Sequence, residues 1–257
     1  MNLTLITCNI RFDNPADGEN SWPHRRSFLI QTLLAHNPSL IATQEGRFHQ
    51  LTELNHSLPS HDIIDQHRSW IAERMYPTFF INHHFFEFLG SGDLWLSETP
   101  EIAGSISFNS SFPRLMTWSY LQIKNSTKKI FIVNAHLDHV KQETRISQVQ
   151  VMLEQIRKYW DPASALIIMG DFNDGPEGDV RKLIEKEFSF LIDPWKKFNS
   201  FEESSHHGFK GEEQNGARID WILIPDNLDV SRCTMDKSNI RGKFPSDHFP
   251  IICEIKI

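Results

Sequence analysis

The chain has 257 residues, 39% hydrophobic and 23% charged, ordinary proportions for a globular protein and enough material for one large α/β domain. No apolar run is long enough to cross a bilayer, and a net charge of −7 lowers the expectation of a general nucleic-acid binder, whose affinity rests on basic surface. Cys8, Cys233 and Cys253 are odd in number and lack metal-ligand spacing, so they read as thiols of a reducing cytoplasm, in keeping with an N-terminus that lacks signal-peptide features.

Leu3–Ile10 reads as the first strand, with Leu3 and Leu5 facing one way and Ile6, Cys8 and Ile10 the other. Both faces are apolar, which predicts a central strand covered on both sides. A helix is expected over His24–Asn37, closed by Pro38, then a short strand Leu40–Gln44 and a helix Phe48–Leu58. Strands follow at Trp95–Leu96, Met116–Lys124 and Ile130–Leu137, the last two paired as a hairpin through Asn125-Ser126-Thr127. Ile146, Val149, Leu153, Ile156 and Trp160 recur at helical spacing, and the helix leads into a fully apolar strand, Ala165–Met169. Ile219–Ile224 and Phe249–Ile257 complete the set. With no repeat and no linker, residues 1–257 read as one α/β domain of two mixed sheets packed face to face, with helices outside.

The informative feature is where polar residues interrupt these runs. Asn9 ends the first strand and Gln44-Glu45 the second. Ile130–Val133 runs into Asn134-Ala135-His136-Leu137-Asp138, and Ala165–Met169 into Gly170-Asp171-Phe172-Asn173. Asp220 follows Ile219, and Ser246-Asp247-His248 precedes the last strand. Burying such groups without partners costs several kcal/mol, so six strands doing it at their ends point to a shared cleft. Strand parity places His136 with Asp138 on one face and, if the strand continues, Asp171 with Asn173. Carboxylates and amides are hard oxygen donors suited to Mg²⁺ or Mn²⁺. Zinc fits less well, because no His-Glu-x-x-His occurs among the 13 histidines. An oxygen-held divalent cation with histidines nearby suits hydrolysis of a phosphate ester.

In this order, Thr7-Cys8-Asn9-Ile10-Arg11, Gln44-Glu45, His136-Leu137-Asp138-His139, Gly170-Asp171-Phe172-Asn173, Arg218-Ile219-Asp220-Trp221-Ile222 and Ser246-Asp247-His248-Phe249-Pro250 resemble the endonuclease/exonuclease/phosphatase superfamily. The resemblance implies a four-layer α/β/β/α sandwich and a metal-dependent phosphoesterase. Asp17-Gly18 with Trp22, Trp95 to Pro100, Arg114 with Trp118, and His207-Gly208-Phe209 look closer to a bacterial branch of largely unassigned substrates. One departure lies at His67 to Glu73, where Arg68 and Glu73 stand without the glycines of that branch.

Carried over residue by residue, the resemblance implies that Glu45 is the main metal carboxylate, with Asn9 and Asp247 near the metal or phosphate. Asp171 would orient or deprotonate the attacking water, helped by Asn173. His248, oriented by Asp220, would stabilise the phosphoryl group or act as an acid, and His136 would donate to another phosphate oxygen. Glu73 is expected to contact His136, giving two carboxylate–histidine pairs with both imidazole pKa values raised.

The leading expectation is a hydrolase of a small or lipid-like phosphate ester. A nuclease using the same site is the alternative, for which Lys128-Lys129, Lys196-Lys197 and Arg241 to Lys243 offer the short basic runs. A non-catalytic binding module is the weakest reading, since every position of catalytic type carries a competent residue.

Overall fold

The computed structural model describes residues 1–211 and 216–257. The described residues form twelve strands: β1 Asn2–Asn9, β2 Leu40–Gly46, β3 His61–Ile64, β4 Tyr76–Asn82, β5 Phe86–Trp95, β6 Leu115–Ile123, β7 Lys129–His136, β8 Ala165–Asp171, β9 Leu191–Ile192, β10 Asp220–Pro225, β11 Asp229–Met235 and β12 Ile251–Lys256. The helices are α1 Trp22–Leu34, α2 Phe48–Ser57, α3 Gln142–Tyr159, α4 Asp179–Glu187 and the single turn α5 Trp195–Phe198. One sheet has the order β11-β12-β1-β2-β4-β3 and the other β5-β6-β7-β8-β10-β9. Both are mixed: β1 pairs parallel with β2 and antiparallel with β12, while β7 pairs parallel with β8 and β8 antiparallel with β10.

Parity sorts the central strands as expected. Leu3 and Leu5 of β1 meet Ile132, Ile167 and Met169 in the core between the sheets. Ile6, Cys8 and Ile10 pack outward with Leu29 and Leu33 of α1 and Leu51 and Leu54 of α2. Phe131, Val133, Leu166 and Ile168 pack outward from the second sheet with Val149 and Leu153 of α3 and Ile184 of α4. Three apolar layers therefore separate four layers of backbone, the α/β/β/α sandwich.

Several elements differ from the sequence reading. Helix α1 begins at Trp22 because Pro23 suits its first turn, and it ends at Leu34, with Asn37 in the left-handed region. The strand expected at Trp95–Leu96 is the end of ten-residue β5, whose Gly90 and Gly92 weaken its pattern. Strands β3, β4, β9 and β11 and helix α4 were not legible at all.

A buried ion pair ties the sheets together where the glycines are missing. Arg68 donates to both oxygens of Asp93 at 2.7 and 3.0 Å, to Thr78 Oγ1 and the Pro77 carbonyl of β4, and to Thr117 Oγ1 of β6. Arg68 is thus a structural clamp, not a substrate contact. Burial alone would raise the Asp93 carboxyl, but the Arg68 guanidinium and His67 outweigh it and hold it well below the usual carboxylate range. A lowered folded pKa adds stability that is complete above the unfolded value near 3.8 and drains as pH falls below it. Asp93→Asn should therefore cost about 3–5 kcal/mol at pH 7, the usual result of stranding a buried charge. Urea unfolding should show the gap to wild type narrowing as pH drops below about 4, and a gap independent of pH would contradict the assignment.

Candidate active site

At one end of the sandwich the strand ends converge, and local backbone irregularities aim their side chains. Between β2 and β4 the register slips from Thr43 to Gly46, opposite Pro77, which has no N–H to give the ladder. The bulge places Glu45 at φ 65°, and its carboxylate accepts from Asn9 Nδ2 at 3.2 Å and from the Phe12 N–H at 3.0 Å. On the other sheet, Gly170 sits at φ 142°, where a Cβ would lie 2.1 Å from the Ala135 carbonyl. Only glycine lets β7 and β8 stay paired up to His136 and Asp171.

Asn9 joins the two sheets. The two protons of its amide serve Glu45 and, at 2.9 Å, Asp171 Oδ2, while its Oδ1 accepts from the Arg11 N–H. His248 Nδ1 lies 2.8 Å from Asp220 Oδ2, and its Nε2 faces Asp171 Oδ2 at 3.9 Å. The loop carrying Asp247 and His248 is pinned by Ser246 Oγ donating to the Asn9 carbonyl at 2.6 Å. Buried Arg25 adds its own clamp, donating to the carbonyls of Ile10, Arg11 and Pro245. The resulting cleft measures about 370 Å³ and is walled on its apolar side by Phe12, Met75, Phe112 and Ile219.

Its electrostatics divide the two histidines. Burial pulls His248 down, but Asp220, with Asp171 and Asp247, outweighs it and holds the imidazole up at about 10, so it is a cation at neutral pH. Burial pushes Asp171 up to about 7, with Asp220 adding to the rise and His248 and Asn9 opposing it. His136 goes the opposite way, lowered by burial and by the charge of Arg114. Arg114 Nη1 lies 3.0 Å from both ring nitrogens of His136. Donation to Nδ1 leaves the Nε2–H for Asp171 Oδ2 at 3.4 Å. His136 is therefore a neutral donor, and Arg114 carries the charge beside it.

These residues suit a divalent cation. Among the described residues each Glu45 oxygen has a single hydrogen-bond donor, and buried Asp220 Oδ1 has no hydrogen-bond partner. Burial and the neighbouring Asp220 push the Asp171 carboxyl up to about 7, acidity that a cation would offset. His206, Asp247 and His248, or Asp171, Asp220 and His248, are close enough to share an ion. The Glu45 carboxylate and Asp247 on the facing loop are the hard oxygen donors suited to such an ion, whereas Asn9 turns its amide protons toward Glu45 and Asp171 and its Oδ1 toward the Arg11 N–H.

The structure brings together Asn9, Glu45, His136, Asp171, Asp247 and His248, and places Asp220 directly behind His248. Asn173 follows a change of direction instead of a continuing strand face: at φ 48° its N–H donates to Asp171 Oδ1 and its amide to the Leu137 carbonyl. Asp138 leaves the cleft, accepting from the N–H groups of Ser111, Val140 and Lys141. The expected Glu73–His136 pair does not form. Glu73, 79% exposed, pairs with Arg47 at 3.0 Å, and only one histidine pKa is raised. Glu73 sits at φ 59°, a left-handed residue that turns its side chain toward the rim.

Sequence reasoning missed the cationic side of the cleft, formed by Arg11, Arg47, Arg74 and Arg114. The expected basic runs lie elsewhere: Lys196 pairs with Glu177, Lys243 with Glu19, and Lys129 begins β7 at the end remote from His136. Asp220→Asn and His248→Ala should each lower kcat by about 10²-fold or more, with the double variant no worse than about the worse single one, because the pair acts as a unit. Steady-state kinetics of the three variants checks this; multiplied losses would show independent roles.

Comparison with known proteins agrees with this geometry. The model of the endonuclease/exonuclease/phosphatase family matches residues 6–248. A solved member from Bacteroides thetaiotaomicron superposes with a TM-score of 0.88 at 24% identity, covering 99% of this chain and 97% of that one. The mannosyl-6-phosphatase of the same organism gives 0.86 at 23% identity, with 99% and 100% covered. The CCR4-Not complex 3′-5′-exoribonuclease subunit Ccr4 of Candida albicans is 28% identical over 180 residues, 54% of this chain and 23% of that protein. With nearly the whole length matched, the chain belongs to the endonuclease/exonuclease/phosphatase family of phosphoester hydrolases.

Proposed function

We propose that this protein hydrolyses a small phosphate ester, with Mg²⁺ or Mn²⁺ as cofactor, by in-line attack of water on phosphorus. The observation that carries the reading is the single cleft onto which Glu45, Asn9, Asp171, His136, Arg114 and the His248–Asp220 pair converge. At about 370 Å³ it has the dimensions of a small-molecule site. The likeness to a mannosyl-6-phosphatase supports a compact organic phosphate. The identity to an exoribonuclease subunit, with four arginines at the cleft, favours a nuclease as the second reading.

Each side chain has a role that its environment allows. Asp171, balanced near neutrality, takes the proton from the attacking water at a carboxylate oxygen. Asn9 and the Asn173 N–H fix that carboxylate in place. The His248 imidazolium, oriented by Asp220, offers its Nε2–H to a phosphoryl oxygen, while the single N–H of neutral His136 holds the Asp171 carboxylate in place. Arg114 offsets the charge that builds on the phosphoryl group. Glu45 and Asp247 would hold the divalent cation, which when bound would supply Lewis-acid polarisation of a phosphoryl oxygen.

The test is turnover of a mixed panel of phosphomonoesters, phosphodiesters, phospholipid head groups and single- and double-stranded nucleic acids with Mg²⁺ or Mn²⁺. Chelation should abolish turnover and either metal should restore it. Glu45→Gln should lose at least about 10²-fold in kcat with its unfolding midpoint unchanged. Full activity in excess chelator would sink the metal assignment, and duplex DNA emerging as the best substrate would favour the nuclease.

A further inference from the structure

Beside the catalytic cleft lies a second hollow of about 480 Å³ that shares Arg47, Glu73 and Arg74 with it. Its far wall is apolar and aromatic. Phe48, the first residue of α2, is 58% exposed there, and Trp70 meets it edge to face with ring centroids 5.0 Å apart. The wall is preformed: Tyr76 packs against Trp70 at 4.9 Å, and its hydroxyl accepts from the Ile71 N–H and donates to the Ser69 carbonyl. Arg68 braces Trp70 and Tyr76 at 5.0 and 4.7 Å.

The charge in this hollow is uneven. Arg47 is tied through Nη1 to Glu73 at 3.0 Å, although its Nε, like that of Arg74, has no acceptor among the described residues. Arg74 has no ion pair or side-chain hydrogen bond among the described residues, and its Nε is shielded from solvent without an acceptor. A shielded guanidinium donor without a partner is destabilising, and an anionic ligand would relieve it. A sugar ring would need free carboxylates or amides for its hydroxyls, but Glu73 is engaged by Arg47 and His49 lies 3.0 Å from Asp13. A flat ring needs only the aromatic wall.

We propose that this hollow receives the leaving group of the ester, a flat ring seated against Phe48 and Trp70 and bearing a second anionic group held by Arg74. The assignment rests on the phosphoesterase reading and adds the substrate class: a ring-bearing molecule with two phosphates, one at His248 and one at Arg74. Continuity through the three shared residues lets one molecule span both spaces.

Titration calorimetry with Ca²⁺ in place of Mg²⁺ tests this without turnover, using adenosine 3′,5′-bisphosphate, adenosine 5′-monophosphate and glucose 1,6-bisphosphate. The adenosine bisphosphate should bind wild type at least about tenfold more tightly than the monophosphate, the gain expected of one charge-assisted contact. Arg74→Ala should bring that ratio close to one. Phe48→Ala should weaken both adenosine ligands more than the glucose bisphosphate. A wild-type ratio near one, a ratio unchanged in Arg74→Ala, or tighter binding of the glucose bisphosphate would overturn the proposal. Absence of turnover across the Mg²⁺ panel would instead remove the phosphoesterase reading while leaving these binding ratios intact.

Discussion

One carboxamide is shared between two sheets, and the site depends on it. Asn9 ends β1 with its amide protons divided between Glu45 of its own sheet and Asp171 of the facing one. Its backbone carbonyl accepts from Ser246, which fixes the loop carrying Asp247 and His248. Two acids from different sheets are thereby held close together, Asp171 buried and Glu45 at the floor of the cleft. The rest of the site answers that concentration of charge. His248 is kept protonated, Asp171 is pushed toward neutrality, and Arg114 stays buried at the cost of desolvation because Glu45, Asp171 and Asp138 surround it. Such a site is preorganised for a phosphoryl group, because the donors that must stabilise it are already locked by their neighbours.

The motif residues divide into those that face the cleft and those that hold the frame. Gln44 binds Asn134 at 2.7 Å across the sheets while its neighbour Glu45 enters the cleft. Arg218, two residues before Asp220, is paired with Asp193 and Glu202 behind the site. His207 stacks on Phe249 at 4.0 Å, and its backbone N–H donates to the Asp247 carbonyl. A motif is in this sense one chemical group plus the packing that aims it, and sequence spacing alone does not separate the two.

The apolar strands β1, β7 and β8 and the helix α3 were legible because their patterns are long and their faces unambiguous. Strand β4 was hidden by Pro77 and β5 by its glycines, and β11 alternates polar with apolar residues at a sheet edge. At the site, strand ends could be read because polar groups interrupt apolar runs, but direction could not. Glu73 illustrates this: nothing in the sequence announces the left-handed turn that sends it to Arg47. Arg114 stands out in the sequence only through its likeness to the bacterial branch, because no spacing along the chain ties it to His136, 22 residues away. The net charge of −7 is an average over 257 residues and does not report the four arginines gathered in one cleft.

The central claim is that oxygen donors at the meeting of the two sheets hold a divalent cation beside a phosphoryl site. Crystals grown with Mn²⁺ and inorganic phosphate would test it through the anomalous difference map. The account predicts a manganese peak in coordination with the Glu45 carboxylate, with phosphate between it and the side chain of His248. A peak confined to His206, Asp247 and His248, or none in the cleft at all, would contradict it.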